Sequence, residues 1–320
     1  MSKTLHSFLL LFLFFSCNTA LKVENKTPII GFLDFVQDET LAKAKQGFFD
    51  ALAKNGFSEK DSTVKIIYTN AQGDIPTLGQ ACDLLISKKV DLIAANTTLS
   101  TITASQRTKT IPVCMMVAPR PDIAKLTDAG GNTPENLFGV YETLEYIDTA
   151  VSIIKSLMPQ AKKIGTVYNQ SEPQSRDAFS RVENKCRELG LEMVSLPVNN
   201  SSETQLVTAS LLSGKIDAFF ALPDNVIFAS FETIVQSCNA AGVPIFTSEA
   251  GLVARGAVAS FGADFYQWGF QAGEQAAEFL KTKSLYELKP EIVRIRNRIY
   301  NRQAAQKFRI IPGNEFVSSD

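Results

Sequence analysis

Polar residues gather directly after short apolar runs at six places in this 320-residue chain. Asp34 and Phe35 follow IIGFL, Asn70 to Asp74 (NAQGD, with Gln72) follow VKIIYT, and Asn96, Thr97 and Thr98 follow VDLIAA. Asn169 to Glu172 (NQSE, with Ser171) follow IGTVY, Asp224 and Asn225 follow DAFFALP, and Ser248 and Glu249 follow PIFT. Carboxylates, amides and hydroxyls of this kind suit binding by hydrogen bonds and charge. The residues for histidine-dependent catalysis are missing. His6 is the only histidine, and it lies in a leader that processing would remove. Without it there is no Ser-His-Asp or Cys-His nucleophile, no imidazole base and no common zinc ligand set. The sequence also lacks a G-x-S-x-G elbow, a phosphate-binding glycine loop and a metal-ligand cluster, so neither an enzyme nor a cofactor is expected. Cys82, Cys114, Cys186 and Cys238 form no C-x-x-C pair and read as small core residues, with disulfide pairing left open.

The elements that carry these clusters are written twice. PIIGFLDF and KKIGTVYN are strand-like runs containing a glycine, each followed by a helical pattern. In the first, Leu41, Ala44, Phe48, Ala51 and Leu52 recur at three- and four-residue steps until Asn55-Gly56; in the second, Ala178, Val182 and Leu189 do so until Gly190. KVDLIAANTT is echoed by KIDAFFALPDN, and IPVCMM by VPIFTS. The offsets stay close: 134 from Gly31 to Gly165, 126 from Asp91 to Asp217 and 132 from Pro112 to Pro244. Two βαβαβ units in tandem predict an α/β chain with two doubly wound parallel-sheet lobes. In such sheets ligands bind outside the carboxyl ends of the strands. One polar cluster there is ordinary helix capping. Six, repeated across both halves, argue for a cleft lined from both sides.

Composition agrees with a folded, exported, two-lobed protein. The chain is 45% apolar and 20% charged, with a net charge of −1 and no long basic run, so nucleic acid is not an expected partner. Lys3 followed by FLLLFLFF forms an export signal too short to span a bilayer. Ser16-Cys17-Asn18 after it resembles the lipobox of bacterial lipoproteins, although Phe14 and Phe15 stand where leucine and a small residue are usual. Two outcomes stay open: Cys17 is lipidated and anchors the chain outside the cell membrane, facing the periplasm or exterior, or a signal peptide is cut elsewhere.

The segments NAQGD, KKIGTVYNQSE, DAFFALPDN and VPIFTSEAGLVARGAVASFGADFYQWG resemble bacterial ABC-transporter substrate-binding proteins, in particular those that bind tryptophan and tyrosine. The likeness runs from about Ile29 to Lys283. It implies the type 1 periplasmic-binding fold, two lobes joined by three hinge crossovers that close on a ligand. Carried onto this chain, the crossovers fall near Val140-Tyr141, Phe261 to Asp264 and Lys283 to Leu288. The expected organisation is therefore a leader at 1–17, a tether at 18–27, lobe 1 at 28–140 plus 263–283, lobe 2 at 141–262 plus 284–312, and a tail at 313–320. EIVRIRNRIY alternates apolar residues with arginine, as an edge strand does.

The resemblance further implies a small solute, an amino acid and in particular an aromatic one, delivered to an ABC permease and its ATPase; a monomer is expected because no large exposed apolar stretch is evident in the sequence. Helix N-termini with Thr97, Thr98, Ser100 and Ser171 would hold a carboxylate. Asp224, and then Asp264, would take an ammonium. Asn70, Gln72 and Asn169 would read polar edges, and Phe35 would cover a ring. Alternatives stand beside these: Asn70 and Asn169 shape turns, Phe35 is core, and Asp264 caps a helix. Two departures complicate the ligand. Arg120, in PRPD, stands where the family has a small polar residue, which allows an acidic ligand held by the guanidinium or a solvent-facing loop arginine. Glu249 is followed by Ala250-Gly251-Leu252, where the family is more acidic. A ligand sensor serving a signalling partner is the alternative function.

Overall fold

The structure is a computed structural model and describes residues 26–319. The chain runs β1 (Ile29–Asp34), α1 (Glu39–Lys54), β2 (Lys65–Asn70), α2 (Ile75–Ser87), β3 (Leu92–Asn96), α3 (Thr98–Arg107), β4 (Val113–Met116) and β5 (Leu137–Tyr141). It continues α4 (Tyr146–Leu157), β6 (Lys163–Tyr168), α5 (Pro173–Glu188), β7 (Glu192–Pro197), α6 (Thr204–Ser213), β8 (Ala218–Ala221), α7 (Asn225–Ala229), α8 (Phe231–Ala241), β9 (Ile245–Thr247), α9 (Ala250–Ala254) and β10 (Ala259–Ala263). It ends α10 (Phe265–Thr282), β11 (Pro290–Ile292), β12 (Arg296–Tyr300), α11 (Arg302–Lys307) and β13 (Val317–Ser318).

Two sheets result, ordered β11-β5-β4-β3-β1-β2 and β13-β12-β10-β9-β8-β6-β7. The first is parallel throughout, and the second is parallel except where β12 runs against β10. In both, the order reverses beside the first strand of the unit, between β1 and β3 and between β6 and β8, which opens a crevice at the carboxyl ends.

The echoed segments turn out to be a duplicated anchoring device. Lys89 and Lys215 leave their helices with positive φ, 52° and 55°. Val90 and Ile216 then bury their side chains. The next residue pins the neighbouring strand: the Asp91 carboxylate accepts the Ile29 N–H at 2.7 Å, and the Asp217 carboxylate accepts the Lys162 and Lys163 N–H groups at 2.7 and 2.8 Å. Pro112 and Pro244 match as well, their carbonyls accepting the Ile93 and Phe219 N–H groups at 2.9 Å. Glycine is needed at 31 and 165 because a side chain of the covering helix, or of the turn just after it, lies directly on the strand. A Cβ there would come within 2.9 Å of Leu85 and 2.4 Å of Ile216.

The chain crosses between lobes after β5, between β10 and α10, and between β11 and β12. Helix α10 packs along α1 in the first lobe. The third crossing comes later than the resemblance implied. β11 pairs with β5 in lobe 1, so the passage occupies 293–295 and not Lys283 to Leu288. EIVRIRNRIY is accordingly divided between the two sheets, its first residues in β11 and its last in β12. The expected tail also contributes β13, which pairs with β12. A partly buried ion pair fastens the first and third crossings together: Arg296 donates to both oxygens of Glu142 at 2.8 and 2.7 Å, and Glu142 is fully buried.

Cys82, Cys114, Cys186 and Cys238 are free and buried, as small core residues should be. Cys17 and the export signal lie outside the described residues. Among the described residues no helix is long and apolar enough to cross a membrane.

Candidate functional site

The carboxyl ends of the two sheets face each other across a groove. At its centre is a cavity of about 30 Å³ lined from both sides. Lobe 1 supplies Thr97 and Thr98 at the start of α3, Val117 to Pro119 after β4, and Phe265 and Trp268 from α10. Lobe 2 supplies Tyr146 at the start of α4, Gln174 at the start of α5, Asn225 and Phe228 from α7, and Glu249 after β9. The rings are interlocked: Phe265 meets Phe228 and Trp268 edge-on, with centroids 6.0 and 5.6 Å apart. A space of this size holds about one or two waters, so a larger solute needs the walls to part. Two wider clefts flank it, of about 430 and 440 Å³, and both run between the lobes.

Charge in the cavity is concentrated on Glu249. Its Oε1 accepts hydroxyl hydrogens from Tyr146 and Ser248, both at 2.8 Å, while its Oε2 is buried with no hydrogen-bond partner. Burial pushes this carboxyl up to about 7 against the two hydroxyls, which favour the charged form, and with Glu142 adding a like charge. The Oε1 of Gln174 is likewise buried and unpartnered, its amide nitrogen being given to Glu172. Glu172 also accepts from the Asn225 backbone and side chain at 3.1 and 2.9 Å. Burial and the neighbouring Asp224 hold the Glu172 carboxyl well above its usual range. On the opposite wall Thr97 caps α3 with φ at 99°, leaving first-turn N–H groups at the cavity edge.

Of the residues expected from sequence, Thr97, Thr98, Asn225 and Glu249 line the central cavity. Phe35, Gln72, Asn169, Ser171 and Glu172 line the 440 Å³ cleft with Asn225. Phe35 is also core. Asp34 borders the 430 Å³ cleft, where it accepts from Tyr68 at 2.9 Å and Asn96 at 2.7 Å, with Lys45 at 3.7 Å. Burial raises its carboxyl. Asn70 donates to the Tyr68 hydroxyl and accepts the Gln72 N–H, which shapes the turn. Ser100 is buried beneath Thr97, and Ser248 supports Glu249.

Three expected ligand contacts are placed elsewhere. Asp224 lies below the cavity wall with both oxygens engaged: Oδ1 caps α7 through the Val226 and Ile227 N–H groups, and Oδ2 accepts from the Asn169 N–H at 2.7 Å and Ser175 at 2.6 Å. Asp264 caps α10 through the Gln267 N–H at 3.0 Å. Arg120 is exposed and folded back on Asp122 with contacts of 2.6 and 2.8 Å, because its own loop supplies the carboxylate. In each case a partner close in space satisfies the group before any solute could. Tyr146, Gln174, Phe228, Phe265 and Trp268 were not expected. Phe265 and Trp268 have the three-residue spacing of any buried helix face, and Gln174 sits just past the NQSE cluster. Among the described residues no group of acidic, cysteine or histidine side chains could hold a metal.

A family model described as "ABC transporter substrate binding protein" matches residues 29–319. A tyrosine-binding protein of Clostridioides difficile is 36% identical over 263 residues, covering 82% of this chain and 75% of that one. Among solved structures, an ABC domain in complex with L-Trp from Streptococcus pneumoniae matches with a TM-score of 0.83 at 26% identity, covering 92% of this chain and 99% of that one. The ligand-free, open structure of a substrate-binding protein with adhesive properties from Clostridium difficile matches with a TM-score of 0.65 at 28% identity, covering 92% and 100%.

Proposed function

We propose, from the premise that the chain belongs to the ABC transporter substrate-binding protein family, that it captures an aromatic amino acid between its lobes and delivers it to an ABC permease. The family is one of binding proteins and not of enzymes. The observation that carries the ligand reading is the unpartnered Oε2 of Glu249, buried in a cavity whose other walls are aromatic rings and the start of α3. A buried acceptor left without a donor costs free energy, and an ammonium group supplies both the donor and the countercharge. Gln174 offers a second acceptor beside it. The Thr98 and Leu99 N–H groups suit the carboxylate, since a helix start favours anions. Phe228, Phe265, Trp268 and Tyr146 suit the ring.

Supporting this, the relative in sequence is named for tyrosine, and the L-Trp complex is a close structural match. The lobes here also superpose better on the L-Trp complex than on the open protein, 0.83 against 0.65, at similar identity. That difference supports a lobe arrangement of the closed kind, reached by hinge motion at the crossings. Thermal-shift screening against the amino acids tests the reading. L-Tyr, L-Trp or L-Phe at a hundred times its dissociation constant should add about 2.7 kcal/mol of stability. Indole-3-propionate and tyramine, each lacking one charged pole, should add little. A response to sugars or nucleosides and none to aromatic amino acids would replace this reading.

Delivery follows as part of the same proposal, with Cys17 as lipid anchor on the outer side of the cell membrane. Cys17→Ser should free the protein from the membrane fraction, and retention would point to a differently processed chain.

A further inference from the structure

Arg255 stands at the end of α9 in lobe 2, outside the central cavity, with its side chain only 9% exposed. Its guanidinium is held by its own lobe on three sides. Nε and Nη2 donate to the two oxygens of Glu232 at 2.7 and 2.9 Å, Nη2 also donates to the Phe228 carbonyl at 2.8 Å, and the group lies 5.4 Å from the centre of the Phe231 ring. One nitrogen is left over, and it reaches the other lobe. Nη1 donates to Asp38 Oδ2 at 2.5 Å and to the Thr40 hydroxyl at 3.1 Å.

Asp38 is equally fixed by lobe 1. Its Oδ1 caps α1 through the Thr40 and Leu41 N–H groups at 2.8 and 3.0 Å, which points Oδ2 out of the lobe. Both partners are therefore oriented before they meet, and little side-chain freedom is lost when they pair. The pair is also removed from water, so it is less screened than a surface ion pair. The same contact zone contains Gly251, where a Cβ would come within 2.3 Å of Thr40. That close approach gives a reason for the glycine two positions after Glu249.

We infer that the Arg255–Asp38 pair is a closure latch, a positioning device that sets how much of the protein is closed before a solute arrives. This rests on the closing-lobe reading above but not on the identity of the ligand. Through the Phe228 carbonyl the latch also steadies a wall of the cavity, since Phe228 lines it. Opening the lobes separates Arg255 from Asp38 and leaves its lobe 2 partners in place.

Small-angle X-ray scattering of the ligand-free protein tests the latch. Wild type should contain a compact population, and Arg255→Met should lower its closed-to-open ratio by about thirtyfold or more, the low end of the scale expected for losing one partner of a desolvated charge pair. Asp38→Asn is the second variant, because asparagine keeps the helix cap while removing the charge. It should open the lobes to the same degree, and the double variant should add nothing further. Gly251→Val should open them by wedging. Unchanged scattering in both Arg255→Met and Asp38→Asn overturns the latch, as does a wild type already fully open. Opening by Gly251→Val alone assigns closure to packing and overturns it too. Because every arm is read without ligand, failure of the aromatic amino acid reading would leave these outcomes distinct.

Discussion

The Tyr146 hydroxyl donates to one oxygen of Glu249 at 2.8 Å across 103 residues of sequence, and the other oxygen of that carboxylate has no partner. A tyrosine from α4 thus orients an acid from the loop after β9 so that it presents a free acceptor to the cavity.

Capture should depend on pH through Glu249. Its carboxyl is raised to about 7, so an ammonium ligand must bind the deprotonated form. Affinity should fall as pH drops from about 8 to 5.5, approaching tenfold per pH unit below the raised pKa and above the lower pKa of the complex. The groups facing Glu249 are the Tyr146 and Ser248 hydroxyls and the Glu142 carboxylate. Calorimetry across this range checks the trend, and an affinity flat with pH would remove Glu249 as the ammonium partner.

Glu249→Gln should move binding and stability in opposite directions. A carboxyl whose folded pKa is raised contributes stability fully present below its unfolded pKa of 4.5, and loses it as pH rises through about 7. At pH 8 the ligand-free variant should therefore be more stable than wild type, by about 1–3 kcal/mol. Affinity for an aromatic amino acid should drop by at least tenfold. Thermal melts at pH 5 and pH 8 separate the two effects.

Trp268 is the single tryptophan of the chain and lines the cavity, with its indole N–H given to the Val140 carbonyl at 2.8 Å. Titration with L-Tyr or L-Phe should shift its emission. Trp268→Phe should abolish the signal and cost about 1–2 kcal/mol of stability, because a buried carbonyl loses its donor. Emission unchanged at saturation would place the ligand elsewhere.

Arg296→Met should destabilise the hinge. It leaves the buried Glu142 uncompensated, which costs about 3–5 kcal/mol when both charges are deeply buried. With Arg296 a quarter exposed, about 2–3 kcal/mol is expected. Glu142→Gln combined with Arg296→Met should recover much of that. Urea unfolding of the three variants reads the coupling.

Asp224→Ala should act mainly on folding, since this carboxylate accepts four hydrogen bonds within lobe 2. A loss of about 2–4 kcal/mol is expected from the cap and the unsatisfied donors together. An affinity loss like that of Glu249→Gln, at unchanged stability, would return the ammonium role to Asp224.

Much of the architecture was legible because strand and helix periods are local properties of sequence. The apolar spacing of Leu41, Ala44, Phe48 and Ala51 announces a one-faced helix, and the structure buries those residues. The tandem repeat likewise revealed two doubly wound units and the polar rims at their strand ends. The roles inside those rims were less visible. Asp224, Asp264 and Glu249 all follow a strand and precede a helix, yet only Glu249 keeps an unpartnered oxygen.

The sequence by itself determined the class of fold and the duplication, since these depend on residue type and period. Tertiary structure alone decided which acceptors are spent and which are free, where the third crossing falls, and that Arg255 meets Asp38 across 217 positions. The physical reason is range. A helix cap is satisfied within three residues, whereas the partners of Glu249 and Arg255 are set by how two lobes pack, and no local pattern encodes that.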